Sequence, residues 1–253
     1  VAVGSRRSYI HFAEVYDQVM ADVPYRRWLD YIQSVWSAHG FRPGAVLDLA
    51  CGTGNMTLEL ALRGYEVIGV DSSSTMLEVA QRKFRSQGLL GEFFLGDMRD
   101  FSIPRQVDAV VSVFDSMNYL LEPDDLKRAF ARVRACLKDG GVFVFDVNTP
   151  ERLSIIPEQT HVMEGPGYYL VWTDFYDPRR KIWRVKLTGF IKDSGAWRRF
   201  DETHRERAFP LECLSGWLAE AGFDVLAVYD SCSFRPADKT TSRAYFVARK
   251  APV

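Results

Sequence analysis

The sequence predicts a doubly wound α/β sheet carrying an inserted antiparallel β-sheet, and three observations lead there. Short apolar runs alternate with helical periods up to Pro150, the period falls to two between about Thr160 and Ala208, and one more helix with two strands closes the chain. Strands alternating with helices imply parallel pairing with helices on both faces, whereas a period of two between turn signals implies a half-exposed antiparallel sheet.

Each element has its own warrant. Phe12, Val15, Tyr16 and Val19, then Trp28, Leu29, Ile32, Val35 and Trp36, fall at helical spacing on either side of Pro24, which predicts two helices. Gly40 and the Arg42-Pro43-Gly44 turn end them. Ala45 to Ala50 is apolar apart from Asp48, as a strand covered on both faces must be. A helix follows the glycine turn as far as Arg63, Gly64 caps it, and Glu66 to Asp71 reads as the second strand. The unit repeats with a helix over Ser72 to Phe84, strands over Gly91 to Leu95 and Val107 to Phe114, a helix over Asp124 to Leu137, and a fifth strand over Val142 to Val147.

Past Pro150 the runs Tyr168 to Thr173, Ile182 to Leu187 and Trp197 to Glu206 alternate, with turns at Asp177-Pro178 and Asp193-Ser194-Gly195, which predicts three or four antiparallel strands. Leu211 to Ala221 is helical and Gly222 caps it. Phe223 to Tyr229 and Ser242 to Ala248 have no helix between them, so they can pair antiparallel. The expected organisation is an N-terminal helical segment (1–40), an α/β domain (41–150 and 209–253) and an inserted β subdomain (151–208).

Composition narrows the function. With 253 residues, 47% hydrophobic and 26% charged, the chain can bury a core, which excludes disorder as its main state. Lys and Arg number 32 against 33 Asp and Glu; a net charge of -1 offers polyanions and anionic lipid no general attraction, so no bulk nucleic-acid binding is expected. No uncharged run exceeds about a dozen residues, short of the roughly 18 of a membrane span. The opening VAVGSRRSYI does not read as a signal peptide, and the expected location is cytoplasmic. Cys51, Cys136, Cys213 and Cys232 form no CxxC pair and have no His at ligand spacing; they read as small buried apolar side chains, and no metal is expected.

The chemistry is concentrated in Val46 to Asn55, a strand running into a glycine turn and a helix. Small residues at Ala50, Gly52 and Gly54 let the backbone approach a ligand, and the amide groups that open the next helix suit a carboxylate or phosphate. Asp71, about twenty residues further on, ends the second strand where an acid accepts from both hydroxyls of an adenosine ribose. Gly96-Asp97-Met98 adds a carboxylate at the same edge.

These segments resemble the class I S-adenosylmethionine-dependent methyltransferases. Asp48 to Gly54 (DLACGTG) is similar to their first motif, with Ala50 where many members carry glycine, and the similarity runs from about residue 9 to 150 and again from 210 to 249. It implies a Rossmann-like sheet of seven strands in which Tyr245-Phe246-Val247 belong to a reversed seventh strand. It also implies S-adenosylmethionine as cofactor and S-adenosylhomocysteine as product. Asp48, Ala50, Cys51 and the Gly52-Thr53-Gly54 backbone would hold the methionine end, Asp71 the ribose, and Asp97, Met98, Ser72 and Met76 the adenosine. Tyr16 would close over the cofactor, with Trp28 and Phe114 completing its walls, so that the N-terminal helices cap the site and the insertion acts as a lid over an acceptor. The N-terminal Phe12-Ala13 and Tyr16-Asp17, the block Phe114 to Tyr119, Asp146 with Asn148 and the β insertion resemble the bacterial small-molecule branch related to glycine and sugar-amine N-methyltransferases.

The resemblance leaves the acceptor open. The expected reaction is in-line methyl transfer to the nitrogen or oxygen of a small molecule; an RNA-modifying methyltransferase and an NAD-dependent oxidoreductase are the alternatives. A base is required only if the attacking atom carries a proton. His204, on the strand face 200, 202, 204, 206, is the candidate, with Tyr16 as second catalytic candidate and His161, Asp115 and Asn118 as further acceptor-side residues. Tyr168, Tyr169, Trp172, Trp183 and Trp197 suit either an acceptor lid or the core of a small sheet. Residues 151–210 hold 11 Lys or Arg against 9 Asp or Glu, which reads as a solvated surface rather than an RNA patch. The exposed edge of the inserted sheet leaves a homodimer open.

Overall fold

Gly44 and Ala45 both donate their backbone N–H groups to the Asp108 carboxylate, at 2.9 and 2.8 Å, and this tie starts the first strand beside the fourth. The structure, a computed structural model, describes residues 12–252. The opening stretch read for a signal peptide and the first eleven residues of the 1–40 segment lie outside the described residues.

A 3-10 turn, Phe12–Glu14, leads into α1 (Tyr16–Val19) and α2 (Tyr25–Ala38). Then come β1 (Ala45–Leu49), α3 (Asn55–Leu62), β2 (Glu66–Asp71), α4 (Ser74–Ser86), β3 (Glu92–Leu95), β4 (Val107–Ser112), α5 (Pro123–Cys136) and β5 (Leu137–Asn148). The short α6 (Pro150–Ser154) opens the insertion, whose strands are β6 (Thr160–Gly165), β7 (Tyr168–Asp177), β8 (Ile182–Asp193) and β9 (Ala196–Arg207); α7 (Leu211–Glu220), β10 (Phe223–Asp230) and β11 (Arg243–Lys250) complete the chain. The larger sheet has the order β3-β2-β1-β4-β5-β11-β10, with β11 antiparallel to both neighbours, and β6 to β9 form a separate antiparallel meander.

Two boundaries depart from the sequence reading. The fifth strand begins at Leu137 instead of Val142, because Gly140 takes a left-handed φ of 72° and a Cβ on Gly141 would come within 2.9 Å of the Lys138 carbonyl and 3.0 Å of that of Asp108. Only glycine lets the strand bulge through so close to β4. The fourth strand stops at Ser112, short of Phe114, because Phe114 and Asp115 turn left-handed.

Both faces of the large sheet are covered. Phe130 and Leu126 of α5 and Leu214 and Leu218 of α7 pack on Phe143, Phe145 and Phe246; Leu29, Ile32 and Trp36 of α2 and Leu60 of α3 cover the other face. A third cluster joins Phe12 and Val15 to Tyr168, Leu170, Leu187 and Phe200, so the N-terminal segment completes the core of the smaller sheet. The cysteines divide: Cys51 and Cys136 are buried as expected, whereas Cys213 and Cys232 are exposed, since one lies on the solvent face of α7 and the other in the loop after β10.

Phe145 is fully buried and stacks on Phe143 and Phe246 with centroids 4.6 and 4.9 Å apart. Phe145→Ala is expected to cost about 3–5 kcal/mol, visible as a lowered urea midpoint with unchanged m-value.

Candidate active site

The carboxyl ends of β1, β2, β4 and β5 open into a cavity of about 1600 Å³, roofed by the inserted sheet. Its wall begins at the β1 turn. Ala50 and Gly52 both stand left-handed, at φ 61° and 54°, and a Cβ on Gly52 would meet nothing within 4 Å, so this backbone faces open space. Asp71 braces the turn: its Oδ2 accepts from Gly52 N–H and its Oδ1 from Ser73 N–H, both at 2.8 Å. Each carboxylate oxygen has a second lone pair for a ligand hydroxyl. Gly54 is also left-handed but serves packing, because a Cβ there would come 3.0 Å from that of Ala80 on α4.

Asp48 lies beneath this turn, buried, and accepts from the Thr57 hydroxyl. Burial pushes its carboxyl up to about 7, against the pull of the Thr57 hydrogen bond and with some help from Asp71. Cys51 is buried beside it, and burial with the two nearby carboxylates raises its thiol well above the usual range, so it is inert. Asp97 lies at the rim in the grip of Arg99, whose Nε and Nη2 donate to it at 2.8 and 2.6 Å; partial burial works against ionisation, yet these bonds hold the carboxyl below its ordinary value. Ser72, Met76, Met98 and Phe114 line the same cavity.

The N-terminal segment forms a strap across it. Asp17 accepts from the Thr53 hydroxyl at 2.6 Å and from Asn55 at 3.1 Å, and pairs with Lys83 at 2.8 Å. Tyr16 and Tyr25 line the cavity beneath the strap. At its other end Phe12 stands edge-on to Trp172 at 6.1 Å, and Glu14 pairs with Arg198 of β9 at 2.6 Å.

The roof is the inner face of the insertion. Alternation along β9 turns Phe200, Glu202, His204 and Glu206 inward, all buried, and the last three line the cavity. His204 Nε2 lies 3.4 Å from Glu202 and the ring stands edge-on to Tyr119. His161, on the edge strand β6, reaches Asp174 of β7 at 3.1 Å, and Asp174 also accepts from the Trp183 indole at 3.1 Å. Among the aromatic residues of the insertion, Trp172 and Trp183 line the cavity, Tyr168 is core, and Tyr169 and Trp197 face outward.

The floor is a clamp. Arg243 of β11 pairs with Asp115 at 2.7 Å and with Asp146 of β5, and Asp146 accepts from the Asp115 backbone N–H at 3.2 Å. Asn118 donates to the Asn148 and Arg207 carbonyls, fixing the β4 loop against both β5 and β9. Asn148 donates to Glu206, whose carboxyl is raised well above its usual range by burial and by facing Asp115.

Most residues expected from the sequence therefore converge on one cavity. Trp28 does not line it, standing behind Phe114 at 5.4 Å between ring centroids. Tyr25, Asn55, Asp174, Glu206 and Arg243 were not foreseen; only Glu206, on the strand face already read for His204, left a signal. No helix among the described residues is long and apolar enough to cross a membrane, and no cluster of His, Cys, Asp and Glu among them suits a metal ion.

Comparison with known proteins agrees with this geometry. Residues 46–141 match the model of a family described as a methyltransferase domain. A provisionally named methyltransferase of Geobacillus sp. (strain WCH70) is 33% identical over 96% of this chain and 100% of its own. The crystal structure of an S-adenosylmethionine-dependent methyltransferase from Clostridium acetobutylicum ATCC 824 superposes with a TM-score of 0.83 at 32% identity, covering 95% of this chain and 98% of that one. A dTDP-3-amino-3,4,6-trideoxy-alpha-D-glucopyranose N,N-dimethyltransferase of Streptomyces venezuelae is 35% identical over 40% of this chain and 41% of its own.

Asp48 makes stability depend on pH. Its folded-state value lies above the unfolded one, so the native state keeps a proton that the unfolded chain loses, and stability falls as pH rises through that interval. Urea midpoints are expected to decline between about pH 4 and about pH 7, this group contributing up to about 4 kcal/mol. Asp48→Asn, a neutral isostere, is expected to flatten the decline.

Proposed function

We propose, from the premise that this chain belongs to the class I S-adenosylmethionine-dependent methyltransferases, that it methylates a nitrogen or oxygen atom of a small molecule. The observation behind this reading is the size of the cavity and the sheet that roofs it. A single drug-sized ligand occupies about 300–1,000 Å³, so about 1600 Å³ beneath a lid accommodates cofactor and acceptor together. The nicotinamide alternative is set aside by the S-adenosylmethionine-dependent relative that covers nearly the whole chain. An RNA acceptor gains no support from a cavity whose buried lining includes Asp48, Asp115, Asp174, Glu202 and Glu206 but no Lys or Arg.

The residues present fit the cofactor. Asp48 is a buried carboxylate in want of a cation, as an amino-acid ammonium supplies; Ala50, Cys51, Gly52 and Thr53 frame open backbone beside it; Asp71 presents two oxygens to ribose hydroxyls. When bound, S-adenosylmethionine supplies a methyl group on a cationic sulfur, already activated for displacement. Ser72, Met76, Asp97 and Met98 would border the adenosine and Phe114 its sugar side, while Trp28 and Gly54 act from behind by holding Phe114 and α4.

The remaining work is alignment and exclusion of water. The 1–40 segment caps the cofactor, the α/β domain (41–150 and 209–253) holds it, and the 151–208 lid covers the acceptor. His204 accepts the acceptor's proton where one must leave, and Tyr16 orients the reacting atoms from the strap. The scattered free thiols suit a cytoplasmic enzyme, and the exposed edge strand β6 is proposed to pair between two copies.

Calorimetry is expected to give micromolar binding of S-adenosylmethionine and S-adenosylhomocysteine and none of NADH; the reverse pattern would sink the assignment. Asp71→Asn is expected to weaken S-adenosylhomocysteine about 10–100-fold, the loss of one charge-assisted hydrogen bond, with the fold intact by circular dichroism. Asp17→Ala releases the strap, and stopped-flow measurement is expected to show faster S-adenosylhomocysteine dissociation with a nearly unchanged association rate. Light scattering that finds only monomer at high concentration would remove the dimer.

A further inference from the structure

The acceptor half of the cavity has an unusual charge balance. Trp183 of β8 lies opposite Glu206 of β9 in the sheet register, and its indole N–H is bonded to Asp174 of β7. Residues directly opposite on one face have their Cβ atoms about 4.5–5.5 Å apart. One indole is therefore flanked by two carboxyl groups on the inner face of the lid, and all three side chains line the cavity. Asp174 and Glu206 are 6% and 3% exposed.

Neither acid is ion-paired to a Lys or Arg among the described residues. Asp174 is met by His161 and Trp183, and Glu206 by Asn148 and the Asp115 carboxyl. The arginines that line the cavity are committed to other carboxylates or lie exposed at its rim. Arg99 is held by Asp97 and Asp125, Arg243 by Asp115 and Asp146, while Arg152 and Arg205 are exposed at the rim. Burial raises the carboxyls of both Asp174 and Glu206, outweighing the pull of His161 and Arg152 on the first and of Arg243 on the second.

We propose that the acceptor is an organic cation, and that its ammonium or guanidinium group sits against the Trp183 indole between Asp174 and Glu206. An aromatic face with flanking carboxylates is the arrangement that recognises such groups, through cation–π attraction and charge-assisted hydrogen bonds. The same arrangement rejects anions. A dTDP-linked sugar, such as the Streptomyces venezuelae relative is named for, would bring its phosphates among buried acids with no buried, uncommitted arginine to meet them. The proposal rests on the methyltransferase reading of this cavity and names the acceptor class within it.

The test uses the full chain saturated with S-adenosylhomocysteine and three probes of one shape and different charge: 2-phenylethylammonium, 2-phenylethanol and 3-phenylpropionate, titrated by ligand-observed NMR. The ammonium is expected to bind at least about 10-fold more tightly than the carboxylate, a difference of about 1.4 kcal/mol. Glu206→Gln is expected to erase most of that preference while leaving S-adenosylhomocysteine affinity unchanged, and Glu206→Asp to keep part of it. Equal or reversed preference, no ammonium binding at millimolar concentration, or a preference that survives Glu206→Gln would overturn the proposal alone. Failure of the native chain to bind S-adenosylhomocysteine would instead overturn the reading beneath it.

Discussion

The architecture turns on one guanidinium. Arg243 enters from the reversed strand β11 and is shared by Asp146, fully buried on β5, and Asp115, on the loop after β4. A buried carboxylate of this kind would be costly without a cation, and removing one partner of such a group strands the others. The clamp also explains why Phe114 and Asp115 hold left-handed backbone angles that side chains seldom adopt: the ion pair and the Asp115 N–H bond to Asp146 fix the loop there. From this point the floor of the cavity is set. Asn118 and Asn148 stand on it, and through them it reaches Glu206 and the carbonyl of Arg207 on the inserted sheet.

The inserted sheet has two uses along one face. Toward the turn between β8 and β9, Leu170, Ile191 and Phe200 pack on Phe12 and Val15; further along, Asp174, Trp183, Glu202, His204 and Glu206 look into the cavity. The apolar half supplies the attachment that lets the polar half be buried without collapsing. The N-terminal segment is correspondingly part of the core of the inserted sheet as well as a wall of the cavity, since Asp17 ties it to the β1 turn.

Local pattern made most of the fold legible. Continuous apolar runs marked the buried strands, period two marked the insertion, and DLACGTG with Asp71 marked the sheet edge where the cavity opens. What escaped was of two kinds. Arg243 is 97 residues from Asp146 and 128 from Asp115, and nothing near it in sequence distinguishes a clamp from a surface arginine. The glycines were ambiguous in a different way: spacing made Gly52 and Gly54 equivalent, whereas the structure gives one to open space and the other to contact with Ala80. Likewise His161 and Asp174 meet only because β6 and β7 pair in a register that alternation alone does not specify.

The strap also bears on how the chain reaches this state. Phe12 donates its N–H to Glu202, a partner 190 residues away, and with Val15 it joins a cluster whose other buried members lie between residues 168 and 200. The first described residues emerge from the ribosome long before the strands they complete. They must wait through the making of β1 to β5, or pair transiently with something else, because chain entropy penalises so distant a closure until most of the intervening sheet has formed. The inserted sheet would then be the last part of the molecule to consolidate and the first to loosen, so the cavity gains its roof only after its floor is in place.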